Sequence, residues 1–191
     1  MKNFNLLLII VFAFSLTACK ETPKEQTPTT KVERTEVNTK GQSAVDDKVS
    51  DPNALQVAKS LDDFKTLVVA IKAAGVEDAL VNAGPLTVFA PVNGAFDKLP
   101  KGTVEDLLKP ENKSKLAFIL KNHVAPANFP IKTLEKNVRK NRKLFMASGK
   151  YLEVTKKGED LYVGGTKILK TVKVSNGWVH VIGDILVPSD K

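Results

Sequence analysis

The stretch NGWVHVIGDILVP, from Asn176 to Pro188, decides the fold, because it joins a hairpin turn to the last apolar segment of the chain. Asn176–Gly177 is typical of a two-residue β-turn, and the residues after it are mostly β-branched or aromatic. A histidine, His180, lies between two valines in this segment. The sequence has only one other histidine, His123, which also has apolar neighbours. Whether these two rings are reactive groups or core residues decides whether the protein is an enzyme.

A β-meander is predicted from Ser148 onwards. The segments YLEV, DLYV, KILKTVKVS and WVHVIGDILV alternate in polarity or are rich in β-branched residues. Lys157–Gly158, Gly164–Gly165 and Asn176–Gly177 separate them and are typical of turns. Because helical patterns come first and strands follow, the sequence predicts an α+β fold, with an N-terminal helical layer packed on a β-sandwich or wedge.

The helical part is predicted from apolar periodicity and end signals. Ser60 and Asp63 resemble a capping box, and Gly75 is a typical helix end. Between them, four apolar side chains fall on one helical face: Phe64, Leu67, Val68 and Ile71. The segment LTVFAP predicts a buried strand, after which Asn93 is expected to cap a short helix carrying Phe96, and Thr103 with Asp106 repeats the capping pattern.

The segment SKLAFILKNHV predicts a further helix and assigns a position to the first histidine. Leu116, Ile119, Leu120 and His123 are spaced at i, i+3, i+4 and i+7. If the segment is helical throughout, this spacing directs His123 towards the core together with the aliphatic side chains.

The N-terminus is predicted to be an export signal that is not part of the fold. Residues 1–18 contain the basic Lys2, then an apolar run that is too short for a membrane span of about 20 residues. LTAC, ending at Cys19, resembles the bacterial lipoprotein lipobox, which predicts acylation of the only cysteine in the chain. Lys20 follows it in place of the aspartate that retains lipoproteins in the inner membrane. We therefore expect the lipid anchor to lie in the outer membrane of the cell envelope, and we further expect the domain to be exposed at the cell surface.

Residues 19–51 are expected to form the acylated cysteine and a disordered tether. From Lys20 onwards this segment has no aromatic residue, leucine or isoleucine and is rich in Thr, Lys and Glu. Such a composition cannot bury enough apolar surface to offset the entropy of ordering. The predicted organisation is a signal peptide at 1–18, this tether, a folded domain at 52–188 and a short tail at 189–191.

Three segments resemble the motifs of fasciclin-like domains. They are GPLTVFAPVNGAFDKLP (84–100), FILKNHVAP (118–126) and NGWVHVIGDILVP (176–188), and their order and spacing fit the family. The resemblance implies a compact α+β fold and a role in adhesion or matrix interaction, with no enzymatic activity and no cofactor. It also implies that the motif residues Asn93, Phe96, His123, Asn176, Gly177 and His180 form the scaffold.

The chain departs from the family at Asn122, where a tyrosine usually precedes the central histidine. In animal members that Tyr-His pair is associated with integrin binding, so no integrin-type role is expected here.

A catalytic or metal role for the histidines finds little support in the sequence. A catalytic zinc site typically has three protein ligands, whereas this chain has two histidines and no HExxH motif. No G-x-S-x-G nucleophile motif is present, and Asp184 is too far from His180 along a strand to pair with it unless Gly183 forms a bulge. We therefore expect both rings to be neutral core residues, with His123 hydrogen-bonded near Asn93. The alternative is an enzyme or small-ligand site around the two rings.

The segment KTLEKNVRKNRK (132–143) contains six basic residues and one acidic residue in a chain of formal charge +8. This density suggests a polyanion-binding cluster made of Lys136, Arg139, Lys140, Arg142 and Lys143. The alternative is a solvated loop or hairpin whose charges protect a strand edge. Nucleic acid is not expected as a partner, because the segment lacks a series of aromatic residues. We expect a monomer that binds protein or polysaccharide at the cell surface and the membrane through its lipid.

Overall fold

The computed structural model describes residues 51–81 and 84–188. The predicted signal peptide (1–18), the lipidation site Cys19, the tether up to residue 50 and the tail (189–191) lie outside the described residues. In the part of the chain that is described, no helix combines the length and the apolar character needed to cross a bilayer.

Short helices make up most of the first half of the domain. Their bounds are α1 Ala54–Ser60, α2 Lys65–Ala74, α3 Glu77–Val81, α4 Asn93–Phe96, α5 Thr103–Leu107, α6 Lys113–Lys121 and α7 Ile131–Arg139. The 3₁₀ helices Asp62–Phe64 and Pro110–Asn112 lead directly into α2 and α6.

The strands form one mixed six-stranded sheet and one two-stranded ribbon. Their bounds are β1 Leu86–Pro91, β2 Val124–Ala125, β3 Leu144–Phe145, β4 Tyr151–Leu152, β5 Val154–Lys157, β6 Asp160–Val163, β7 Thr166–Val174 and β8 Gly177–Ile182. The sheet order is β2-β1-β8-β7-β6-β5, and β3 pairs with β4. The predicted α+β class and the predicted meander are confirmed, since β5 to β8 are joined by successive antiparallel pairings.

Strand β1 is the LTVFAP segment, and its prediction as a buried strand is confirmed, because all six residues are buried. It runs parallel to β8, with Phe89 in register with His180, and antiparallel to β2. A strand covered on both faces is expected to be mostly apolar, and the one polar residue of β1, Thr87, donates its hydroxyl to the Ala127 carbonyl. The first strand of the domain therefore lies beside the last one.

Two apolar cores result from this arrangement. The first core lies among helices α1, α2, α3 and α6 and includes Leu55, Phe64 and Ile71. The second core contains Phe89, Leu134, from α7, and Met146, from the segment after β3. Because β1 contributes side chains to both cores, it separates them and supports both.

The predicted helix caps are wrong at three positions: Ser60, Thr103 and Asn93, which is the first residue of α4 and does not cap that helix. Asn53 caps α1 in a complete capping box, in which Asn53 Oδ1 accepts from the Gln56 backbone N–H and Gln56 Oε1 accepts from the Asn53 backbone N–H. Ser60 is instead the last residue of α1. Thr103 is the first residue of α5, and Gly102 precedes it in the left-handed conformation without a side-chain cap. The predicted end of α2 at Gly75 is confirmed, with φ +66°.

Candidate functional site

His123 is buried just beyond the end of α6, with 3% of its surface exposed. The backbone N–H of Leu186 donates to Nε2 at 2.9 Å, so the proton of the neutral ring lies on Nδ1, which donates to the Ile119 carbonyl at 2.9 Å. Burial lowers the pKa of His123 to about 4, and the hydrogen bond to Ile119 opposes this shift. The ring is therefore neutral at physiological pH and links α6 to the C-terminal segment.

His180 is fully buried on β8 and has the opposite tautomer. Its Nε2–H donates to the Phe129 carbonyl at 2.7 Å, and the Thr171 hydroxyl donates to Nδ1 at 2.9 Å. The ring stacks on Phe89, with 5.4 Å between ring centroids. Burial lowers the pKa of His180, and the hydrogen bond to Phe129 opposes the shift. Both histidines thus have their two ring nitrogens occupied by partners within the fold.

The prediction that the His123 ring is hydrogen-bonded near Asn93 is wrong, because the partners of the ring are Ile119 and Leu186. Asn93 Oδ1 accepts from the Thr66 backbone N–H at 3.1 Å, and Asn93 Nδ2 donates to the Asp62 carbonyl at 2.8 Å. Asn93 thereby caps the start of α2 from a distant position in sequence, whereas its own helix, α4, has no side-chain cap. The link between the first motif and the central motif is made by the backbone, where the Phe89 N–H donates to the His123 carbonyl at 2.8 Å.

The acidic residue nearest to His180 in sequence has other partners. Asp184 accepts from Lys98 Nζ at 2.6 Å and from the Thr166 hydroxyl at 3.0 Å. Among residues 51–81 and 84–188, no group of three His, Cys, Asp or Glu side chains could hold a metal ion. Asp184 is therefore paired with Lys98 and Thr166 and makes no hydrogen bond to His180 in the described part of the chain.

Asn122 was identified in the sequence only as a departure from the family pattern. The structure gives it a structural role, since its side chain is fully buried. Asn122 Nδ2 donates to the Leu186 carbonyl at 2.9 Å, and Oδ1 accepts from the Ser148 hydroxyl at 2.8 Å. Together, Asn122 and His123 bind the carbonyl and the N–H of the same residue. In the sequence, the Asn122–His123 dipeptide is the only sign of this link. Its partner, Leu186, is 63 residues beyond His123, and no local pattern reveals it.

Asn176 and Gly177 form the junction between the helices and the sheet. Asn176 Oδ1 accepts from the Ala54 N–H at 3.1 Å, and Nδ2 donates to the Leu80 carbonyl at 2.8 Å. Gly177 has φ +147°, and a Cβ at this position would lie 1.7 Å from the Leu86 carbonyl oxygen. Only glycine allows β1 and β8 to approach this closely.

Two apolar cavities adjoin the ring of His123. One has a volume of about 250 Å³ and lies between α2, β1 and α6. The other has a volume of about 210 Å³, and it lies between α4, α5, α6 and the C-terminal segment. Half-buried Phe96 lines the second cavity together with Leu107 and Ile185, and exposed Lys115 also contributes to its wall. His180 lines neither cavity, so the two histidines do not share a pocket.

The basic segment folds as helix α7 up to Arg139, and residues 140–143 then form a short exposed turn before β3, so the solvated loop considered from the sequence applies only to this second part. Leu134 and Asn137 are the buried residues of α7, while its basic side chains are exposed. Lys132, Lys136 and Arg139 are spaced at i, i+4 and i+7 and therefore lie on one helical face. Three further exposed cations follow within four residues: Lys140, Arg142 and Lys143. We call these six residues the cationic stripe.

Most of the cationic stripe is not neutralised by nearby acids. Glu135, the single acidic residue in this segment, pairs with Lys156 at 3.0 Å. Lys143 pairs with Glu153 at 2.8 Å, and the other five cations form no salt bridge within the described part of the chain. Cations in the last turn of α7 also interact favourably with the helix dipole. These five cations therefore leave an excess of positive charge on α7 and the turn that follows it.

Comparison with known proteins shows similarity along most of the chain. The fasciclin domain profile matches residues 62–188. Protein sll1483 of Synechocystis sp. is 40% identical over 156 residues, which is 80% of this chain and 84% of that protein. Immunogenic protein MPB70 of Mycobacterium bovis is 32% identical over 157 residues, covering 79% of this chain and 76% of the relative.

Similarity extends to larger animal proteins. The transforming growth factor-beta-induced protein ig-h3 of Sus scrofa is 31% identical over 138 residues, which span 71% of this chain but only 19% of the animal protein. A solved FAS1 domain pair from the insect cell adhesion molecule fasciclin I has a TM-score of 0.50 at 20% identity, covering 65% of this chain and 45% of that one. With a profile that spans nearly the whole folded part and a relative at 40% identity, the chain belongs to the fasciclin domain family.

Proposed function

We propose that this protein is a lipid-anchored adhesion module of the bacterial cell envelope that binds polyanionic polysaccharide at the cell surface. Membership of the fasciclin family supports a role in adhesion or extracellular interaction. The anchor, the envelope location and the polysaccharide are the specific parts of this proposal. Binding occurs on a rigid surface, and no covalent bond is made or broken.

The cationic stripe is the observation that carries this proposal. Six exposed cations lie within twelve residues, and α7 holds three of them on one face. Helix positions i and i+4 are about 6 Å apart along the axis, so the charges form a row instead of a single point. A row of cations attracts an extended polyanion, and the attraction weakens as salt screens it.

The proposed anchor is Cys19, which lies outside the described residues. Several acyl chains on one N-terminal cysteine would give durable membrane attachment, because each buried methylene contributes about 0.8 kcal/mol. The change Cys19→Ser should move the protein from the membrane fraction to the soluble fraction and should abolish incorporation of a labelled fatty acid. Retention of the variant in the membrane fraction would contradict lipid anchoring at this residue.

Polyanion binding is tested by salt elution from a sulfated and from a uronate polysaccharide column. The test variant replaces four cations of the stripe with glutamine: Arg139, Lys140, Arg142 and Lys143. The control removes the same charge from exposed positions elsewhere on the domain: Lys72, Lys101, Lys170 and Lys173. We expect the test variant to elute at clearly lower salt than both the control and the unmodified protein. Equal elution of the test variant and the control would refute binding by the stripe.

A second candidate function is binding of a small apolar ligand beside His123. The cavity of about 210 Å³ is larger than the roughly 150 Å³ engineered cavity that binds benzene, and its lining is apolar apart from Lys115, Thr103 and the ring of His123. A medium-chain fatty acid, with its carboxylate near Lys115, matches this lining. A thermal-shift series of fatty acids would test it, because a ligand that binds only the native state raises apparent stability. The same screen includes metal ions for comparison. If metal ions raise the melting temperature and fatty acids do not, the apolar ligand is excluded.

A further inference from the structure

An exposed aromatic pair lies on the ribbon that follows the cationic stripe. Phe145 on β3 and Tyr151 on β4 are directly opposite each other, with ring centroids 5.3 Å apart. Phe145 is 47% exposed and Tyr151 is 63% exposed. Both rings therefore present apolar surface to solvent on the same ribbon. Tyrosine is favoured at such wet contact surfaces, because its ring is apolar and its hydroxyl remains hydrated.

A groove of about 790 Å³ adjoins this ribbon. Its volume falls within the range of small-molecule sites, which is about 300–1,000 Å³. The residues that line it include Tyr151, four residues with polar side chains (Lys143, Lys150, Glu153 and Thr155) and the glycines Gly164 and Gly165. A mixed lining of this kind differs from the two apolar cavities beside His123 and matches a ligand that has both apolar and hydroxyl-rich faces.

The groove is continuous with the cationic stripe. Lys143 is the last residue of the stripe and also lines the groove. Its ion pair with Glu153 has side chains that are 56% and 67% exposed, and a pair this exposed is weak enough to open for an incoming anion. Leu134 of α7 and Val154 of β5 belong to the same core, so the helix that carries part of the stripe packs beside the strand that contributes Thr155 to the groove.

We propose that this groove binds one sugar ring of an acidic polysaccharide, with neighbouring anionic sugars lying on the cationic stripe. This inference rests on the proposed function and assigns its substrate class. One face of a pyranose ring consists of C–H groups, which pack on the Tyr151 ring, while hydroxyls at the ring edge hydrogen-bond to the polar walls. A uronate carboxylate pairs with Lys143 or Lys150. Uronate polymers combine all three features in one chain.

The first measurement uses the full chain in nonionic detergent and a uronate oligosaccharide of defined length. The change Tyr151→Ala should raise the Kd about tenfold, equivalent to about 1.4 kcal/mol, while the dependence of Kd on salt stays unchanged. Replacing the four cations of the stripe should reduce the salt dependence. Tyr151→Phe, which keeps the ring, should bind like the unmodified protein. Circular dichroism and thermal unfolding check that each variant is folded.

The outcomes separate the sugar subsite from the proposed function. If affinity falls in the variant that lacks four cations of the stripe but not in Tyr151→Ala, the sugar subsite is overturned and the proposed function stands. If affinity falls in neither variant, both are overturned. If it falls only in Tyr151→Ala, the assignment of an acidic ligand is overturned. A second measurement needs no variant: saturation with the oligosaccharide should shift the backbone amide NMR signals of Gly149, Gly164 and Gly165. Unchanged signals at these glycines would place the ligand elsewhere and overturn the inference.

Discussion

Acidification should destabilise the domain through His123, because its ring is held neutral by the fold. The pKa of His123 is lowered from 6.5 to about 4 by burial. In the unfolded chain the same ring takes up a proton near pH 6.5, so the unfolded state binds more protons between pH 6.5 and pH 4. Stability from this group is fully present above pH 6.5 and is lost as the pH falls towards 4. Between pH 7 and pH 4.5 the loss is about 2 kcal/mol.

The structural reason is that a protonated ring can no longer accept one of its hydrogen bonds. Nε2 accepts from the Leu186 N–H, so a proton on Nε2 would direct one N–H against another. Protonation therefore breaks the link between α6 and the C-terminal segment. His180 contributes in the same direction, because burial also lowers its pKa. The carboxyl groups of Glu135, Glu153 and Asp184 have pKa values lowered by lysine partners, so they stay ionised through most of this pH window.

Urea unfolding from pH 7.5 to pH 4.5 measures this effect. The unmodified protein should lose stability as the pH falls, whereas His123→Gln should start less stable and show a slope smaller by up to about 1.4 kcal/mol per pH unit. His180→Gln is the matched control, since it retains the His123 contribution. Ring-nitrogen NMR should show the Nδ1–H tautomer of His123 persisting below pH 5. Titration of His123 near pH 6.5 in the folded protein, or an unchanged slope in His123→Gln, would refute the reasoning.

Three substitutions test other parts of the scaffold by equilibrium unfolding. Gly177→Ala should lower the free energy of unfolding by at least about 4 kcal/mol, because its Cβ would overlap the Leu86 carbonyl. The control Gly94→Ala has open space around the new Cβ and should change stability little. Equal effects of the two substitutions would contradict the close-approach argument. Asn122→Ala should lower the free energy of unfolding by about 2–3 kcal/mol, because it leaves the buried Leu186 carbonyl without its partner and also removes the hydrogen bond to Ser148. A neutral result would disprove its role. Asn93→Ala should cost about 1 kcal/mol through loss of the cap on α2, and no loss would exclude that cap.

Local patterns predicted the elements that depend on local chemistry. The alternating segments after Ser148 became β4 to β8, and LTVFAP became β1, because apolar and β-branched runs between turn residues leave few other arrangements. The periodicity of SKLAFILK gave α6, although that helix ends at Lys121, before His123. His123 still reaches the core, because the turn that follows the helix keeps it buried.

Partners across the fold could not be predicted from the sequence. Asn93 and Thr103 both have residue types that favour a helix N-cap, but side-chain preference alone does not indicate which helix is nearby. The Asn93 side chain caps α2 because β1 and α4 bring it there. The helical form of the basic segment was missed because Leu134 and Val138 provide only a narrow apolar face among the charges. The parallel pairing of β1 with β8 is likewise a tertiary property.

The pairing of the first strand with the last also determines when this domain can fold. Phe89 is in register with His180, so a chain that has emerged only as far as Ser175 lacks the neighbour that covers one whole edge of β1. Neither core can close around an incomplete sheet, and helices α1 to α6 have no finished surface against which to dock. Contacts this distant in sequence slow folding, because a large loop must close before the pairing of β1 with β8 contributes to stability. Completion of the fold therefore waits for the segment that contains β8, Gly177–Ile182.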